Sequence, residues 1–236
     1  LETVKGQNAL VSIVLNNGIT WTINGNELNE QEYHNVDLAV DLNTTSVPNK
    51  AISQLVNKND AKTSQISLAH DGDFGFNAEL TLDLTKVDSE FVAKDIENRI
   101  AGVYYYDVKT GELVLQSASR IDKNGKAEFN FAHGSDYVVT VSDKLVVDET
   151  TLNAVTVNGV GTNKLAKRWK YVGGTTGNKE RLEIVLPAGL QDAVDKGLID
   201  FKASFTTSNN KVANVAQNGI ATAKTPGVAI IKATIK

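Results

Sequence analysis

The sequence predicts an all-β chain: two β-sandwich modules in tandem, with one to three short helices. Three observations carry the prediction. Apolar and polar residues alternate through most of the regular stretches. Those stretches recur at roughly ten-residue spacing, with Gly or Asn at the turns. The charge also divides: residues 1–145 hold 12 basic and 21 acidic side chains, whereas residues 146–236 hold 12 and 7. The modules are therefore bounded at 1–145 and 146–236.

The first module opens with "ALVSIVLNNGITWTIN". Val11, Ile13 and Leu15 share one face, Asn17-Gly18 turns, and Ile19, Trp21 and Ile23 return. Asn-Gly tolerates the positive φ that such a hairpin needs. Trp21, inside an alternating strand, reads as core. "NVDLAVDLN" alternates again. "PNKAISQLVN" changes period: Pro48 suits a first helical turn, and Ile52, Leu55 and Val56 have helical spacing. "QISLAH" and "FGFNAELTLDL" return to strand, with Asp71-Gly72-Asp73 as the turn between them. Phe76, Ala78, Leu80, Leu82 and Leu84 then face inward. "KVDSEFVAKDIENRI" fits a short helical face with Asp88 as cap. "GVYYYDV", the turn "KTGE", "LVLQSA", the turn Asp122–Gly125, "KAEFNF" and "DYVVTVSD" complete the module.

The second module begins with "TLNAVTVNG" and a basic segment, "KLAKRWKYVGG". "PAGLQDAVDKG" reads as one short helix, Pro187 at its start and Gly197 past its end. The remainder, "FTTSNNKVANVAQNGIATAKTPGVAIIKATI", is strand and turn. An aromatic (Phe205) precedes small hydroxyl residues and Asn. A Val-Ala-x-Val strand follows (Val212, Ala213, Val215), then Asn218-Gly219, Ala223, Pro226-Gly227 and an alternating end (Ala229, Ile231, Ala233). In these features the segment resembles the bacterial immunoglobulin-like domain of group 2. Val228 to Ile231 then read as a wholly apolar strand, buried between sheets. The helix-like insertion at 187–197 and the basic segment depart from that pattern. In the first module, "VYYYDVKTGELVLQSASRIDKNGKAEFNFAHGSDYVVTVSD" is similar to a β-rich repeat of large surface and cellulosome-type proteins of Gram-positive anaerobes. Both resemblances imply architecture and an extracellular, cell-surface or secreted setting, and neither implies an activity.

Composition narrows the chemistry. There is no cysteine, which excludes disulfides, thiolate metal sites and cysteine nucleophiles. Neither half is basic enough for nucleic acid, and no apolar run is long enough for a transmembrane helix. A first residue of Leu1 rather than Met leads us to expect a segment of a larger protein.

Four stretches deserve weighing for chemistry. His133–Asp136, "HGSD", has the residue types of a serine-hydrolase triad, but a triad converges in space rather than in sequence. His34 and His70 lack metal-ligand spacing. Asp71 and Asp73 are weak calcium candidates, because a full calcium loop needs more oxygens than two carboxylates. Trp169 and Tyr171 share a strand face beside Lys167 and Arg168, a basic aromatic segment able to bind an anionic wall polymer, a polysaccharide or the acidic first domain. The same Trp169 also fits the inter-sheet core position of a sandwich.

The expectation is a non-catalytic structural or adhesive module pair, with no catalytic residues and no cofactor beyond that calcium possibility. Its partners would be neighbouring domains of the same polypeptide, and polysaccharide or surface proteins. A carbohydrate-binding module and a protein-docking module of a scaffold assembly are the alternatives.

Overall fold

The structure is a computed structural model, and it describes residues 1–15, 17–28, 35–57, 59–161, 164–165, 168, 170 and 177–235. The described chain is mostly β, in several antiparallel sheets with few helices. It clusters into two compact units. One comprises Leu1–Thr150 with Ala188–Leu198; the other comprises Thr151–Pro187 with Ile199–Lys236.

The first unit contains β1 (Leu10–Val14), β2 (Thr20–Asn24), β3 (Val40–Leu42), α1 (Asn49–Val56), β4 (Lys62–Asp83) and the single turns α2 (Leu84–Val87) and α3 (Ala93–Ile96). Then come β5 (Ile100–Asp107), β6 (Glu112–Arg120) and β7 (Lys126–Ser142). The seven strands form one antiparallel sheet in the order β1-β2-β4-β7-β5-β6, with β3 also on β4. The first hairpin forms as its Asn-Gly predicts: Gly18 has φ +80° and Leu15 N donates to Ile19 O at 2.9 Å.

The segment 62–83 is where the sequence reading needs correction. Asp71-Gly72-Asp73 does not turn the chain; β4 runs through it as one strand of 22 residues. Ser67 pairs with Asp136 and Gly72 with Gly134, so four residues of β4 face one of β7. Asp73 pairs with His133 and Ala78 with Phe131, and the same surplus recurs. These are bulges, built on Gly72 (φ +99°) and Gly75 (φ +77°). A bulge and a turn use the same positive-φ glycine, so a local reading cannot separate them.

The bends let the sheet wrap a core. Trp21 is fully buried, edge-on to Phe74 (6.0 Å, 82°) and Phe131 (5.9 Å, 71°). Its indole N–H donates to Leu38 O at 2.9 Å. Phe76, Ala78, Leu80, Leu82 and Leu84 are buried as the alternation predicts. In 86–100, Val87 and Phe91 are buried and Val92 is exposed. Asp88 is the C-cap of α2, its N–H donating to Leu84 O, and its carboxylate accepts from Glu90 N in a turn (2.9 Å); α3 starts from Val92, so Asp88 N-caps no helix.

At its C-terminal half β7 is buried on both faces, Val138 as well as Val139. Helices α1 and α5 (Ala188–Asp195) both pack on β6. The approach of α5 is close: a side chain on Gly189 would lie 2.1 Å from Leu115 O. Helix α5 forms where the Pro-to-Gly spacing predicts, and it belongs to the first unit.

Helix α4 (Glu149–Asn153) begins in the first unit and ends in the second, where it leads into β8 (Thr156–Val157) and β9 (Val160–Gly161). After these come β10 (Lys179–Arg181), β11 (Ile184–Val185), β12 (Ala203–Thr207), β13 (Ala213–Val215), β14 (Ile220–Ala223) and β15 (Ile231–Ile235). They pair as β11-β8-β9, β10-β14-β13 and β12-β15. Asn218-Gly219 makes the expected hairpin: Gly219 has φ +81° and Asn218 Oδ1 accepts from Ile220 N at 3.2 Å. Phe205 is buried. Val228 and Ile230 are not; they are 86% and 52% exposed and precede β15. The apolar run alone does not bury them, because they lie outside the paired strand.

Candidate functional site

The two motifs singled out in the sequence meet in space. "HDGD" of β4 and "HGSD" of β7 lie opposite each other at the double bulge, with Gly72 facing Gly134 and Asp73 facing His133. Gly134 has no room for a side chain, since a Cβ there would stand 1.9 Å from His70 O. Close backbone approach thus fixes where His70, His133 and the two aspartates sit.

Around this bend the polar groups are already engaged. Tyr137 donates its hydroxyl hydrogen to His133 O at 2.7 Å. The 3.0 Å contact between that hydroxyl and His133 Nδ1 is therefore filled by a hydrogen on the ring nitrogen. His70 Nε2 lies 3.2 Å from Asp73 O and donates to it. Ser67 donates to Asp136 Oδ1 at 2.5 Å, with Thr44 and Ser46 hydroxyls at 3.1 and 3.3 Å. Tyr105 stands edge-on to His133 with centroids 4.7 Å apart.

The electrostatics follow from burial. Desolvation pushes the His133 imidazole below its ordinary range, and the nearby Asp73 charge opposes that. Desolvation drives the Tyr137 phenol well up. It also raises Tyr105, with Asp107 and Asp71 adding to the shift. His133 is thus held neutral near pH 7, with Tyr137 as its partner. Asp136 engages Ser67 on β4, so "HGSD" builds no Ser–His–Asp relay.

Asp71 and Asp73 are both exposed, on either side of Gly72. Among the described residues no three His, Asp or Glu side chains converge to hold a metal ion. Of the basic aromatic segment, Lys167, Trp169 and Tyr171 lie outside the described residues, as does His34. Arg168 is exposed and donates from Nη2 to Asn158 O at 2.9 Å. Lys170 pairs with Glu180 at 3.2 Å. Asn158, with φ +48°, also accepts from Glu183 N at 2.6 Å and donates to Glu180 Oε1 at 3.1 Å.

Two features escape sequence reasoning. The first is a polar plug in the first unit. β6 ends the sheet, and Ser117 and Ser119 reach across to the N-terminal half of β7, accepting from Asn130 N (3.0 Å) and Glu128 N (3.1 Å). Helix α5 fills the seam. Asp192 Oδ2 accepts from Ser117 Oγ (2.8 Å) and Ala118 N (3.1 Å), and its Oδ1 accepts from Asn130 Nδ2 (2.9 Å). Lys196 Nζ donates to Ala118 O (2.9 Å) and Glu128 O (3.3 Å) and pairs with Asp192 at 3.1 Å. The i,i+4 spacing of Asp192 and Lys196 is visible in sequence; their partners are about seventy residues away and are not.

The second feature is an open cleft of about 360 Å³ between the start of α1 and the β5–β6 turn. It is lined by Lys50, Gln54, Tyr106, Thr110 and Glu112 among others. Of the tyrosine run, Tyr104 is fully buried, while Tyr105 and Tyr106 are half-buried. Tyr106 thus presents part of its ring to a wall of hydrogen-bonding groups.

No family model, no curated protein and no solved structure matches this chain. Among the described residues no helix is long and apolar enough to cross a membrane.

Proposed function

We propose that the chain is a non-catalytic structural and adhesive module pair of a larger bacterial extracellular or cell-surface protein, serving as a spacer or display segment. In this reading each unit is a β-sandwich module, and the second is immunoglobulin-like. One observation carries it: at the double bulge, the residues that look most like chemistry are spent on holding two long strands together. Ser67, Asp136, His70, His133 and Tyr137 all bond within the β4–β7 ladder or its immediate support. Long antiparallel pairing with an aromatic core suits a module that must resist extension. Pulling the chain within a polyprotein by force spectroscopy tests this. Discrete unfolding peaks above those of a helical reference domain are expected; extension without peaks counts against it.

A second reading, a carbohydrate-binding module, draws on the cleft at Tyr106. A partly exposed ring beside Lys50, Gln54, Thr110 and Glu112 offers the stacking surface and mixed donors and acceptors that a sugar ring uses. Calorimetry with neutral and acidic polysaccharides separates the readings. Saturable binding, lost in Tyr106→Ala with the fold retained, selects the second.

A further inference from the structure

We propose that the free edge of β1 pairs with β1 of a second copy of this chain, antiparallel across a two-fold axis at Ser12. The argument starts from which backbone groups β2 uses. Leu15 N donates to Ile19 O, and Gly25 N donates to Ala9 O, both at 2.9 Å. With Val11 opposite Ile23 and Ile13 opposite Trp21, the odd-numbered residues make the hydrogen-bonded pairs with β2. The N–H and C=O groups of Leu10, Ser12 and Val14 therefore point away from β2, along the open edge.

Among the described residues that edge lacks the usual protections. β1 ends the sheet path, and residues 8–15, "NALVSIVL", contain no charge and no proline. Leu10 and Val14 are 68% and 73% exposed. Edge strands are ordinarily blunted by charge, proline or a covering element. The far end of the same sheet is treated in that way: α5 seals β6 through Asp192 and Lys196. The contrast within one sheet marks β1 as an edge left available for pairing.

The occupant follows from the strand's own pattern. Around Ser12 the sequence is close to a palindrome of side-chain type: Leu10 mirrors Val14, and Val11 mirrors Ile13. An antiparallel copy centred there sets Leu10 against Val14 of the second copy and Ser12 against its equivalent. All three outward residues then fall on hydrogen-bonded positions, and no like charges meet. Such a contact is isologous, so it closes at two copies. The inference does not depend on the spacer reading and would hold equally for a glycan-binding chain.

The test uses the full chain. Sedimentation equilibrium over a broad concentration range should show the average mass rising from one chain toward two. Ser12→Cys introduces the only thiol of the chain, and with the two Cα atoms about 5.5 Å apart, copper(II)-phenanthroline, which takes up the two electrons, should oxidise the pair to a disulfide-linked dimer. Ser12→Pro removes an outward N–H while sparing the β2 ladder; it should keep the melting profile and abolish the dimer. Leu10→Lys/Val14→Lys should do the same if Ser12→Pro fails to fold. A chain that stays monomeric and leaves Ser12→Cys uncrosslinked overturns the proposal. So does assembly into open-ended polymers, or a dimer untouched by the β1 variants.

Discussion

Gly72 and Gly134 face each other across the β4–β7 ladder, yet for different reasons neither position accepts a side chain freely. Gly72 has φ +99° and open space around it; Gly134 has His70 O where its Cβ would be, at 1.9 Å. Ala at position 72 meets only backbone strain, about 1–2 kcal/mol. Ala at 134 must push β4 away from β7, and overpacking of that kind costs about 1–3 kcal/mol or more. Urea denaturation should rank Gly134→Ala as the less stable variant. The reverse order would mean that the bend is softer than its contacts indicate.

Asp192 satisfies Ser117, Ala118 and Asn130 at once, so its removal strands several donors. Asp192→Ala is expected to lower stability by about 1–3 kcal/mol. Asp192→Asn, which keeps one acceptor oxygen, should lose less. Lys196→Met has a second consequence. Burial and Glu128 already raise the Glu79 carboxyl, and Lys196 opposes them. Removing that ammonium should raise Glu79 further, which carboxyl-carbon NMR titration would register.

His133 provides a pH signature of the bend. Its folded-state pKa lies below the unfolded value of about 6.5 because burial disfavours the imidazolium. Above that unfolded value both states are neutral and the full stability is present. As pH falls from there toward the folded pKa, the unfolded state takes up the proton first, so stability declines. In His133→Gln this part of the acid slope should vanish. In Asp73→Asn the histidine loses its opposing charge and should titrate lower still, as its ring-proton shifts will report.

Trp21 ties two aromatic rings, Phe74 and Phe131, to a loop. Trp21→Ala should cost about 3–5 kcal/mol from cavity and lost transfer energy. Trp21→Phe keeps ring packing but leaves Leu38 O without its donor, which adds about 1–3 kcal/mol to the smaller volume change. Thermal melts of the two variants against the native chain separate packing from hydrogen bonding.

Much of the first unit was legible because its signals are local. The alternation at 76–84, the Asn-Gly hairpins and the Pro-to-Gly helix of 188–195 all depend on near neighbours. What escaped depends on remote ones. Gly72 reads as a turn until its partner Gly134 is known. Val228 and Ile230 read as core because apolar runs usually are, and only strand pairing decides otherwise. Asp192 and Lys196 look like a surface pair, since nothing near them in sequence announces Ser117 or Ala118. Of the basic aromatic segment, Arg168 binds its own backbone neighbourhood, while Tyr106, one of three adjacent tyrosines, lines the cleft.

The position of helix α5 in the chain also sets an order in time. Synthesis delivers every strand of the first unit by Ser142, but the helix that seals β6 comes only after a further stretch belonging to the second unit. Until residue 196 leaves the ribosome, the seam between Ser117 and Asn130 is open to water. The first unit is therefore completed late, and a fragment ending at Thr150 lacks the helix that covers β6.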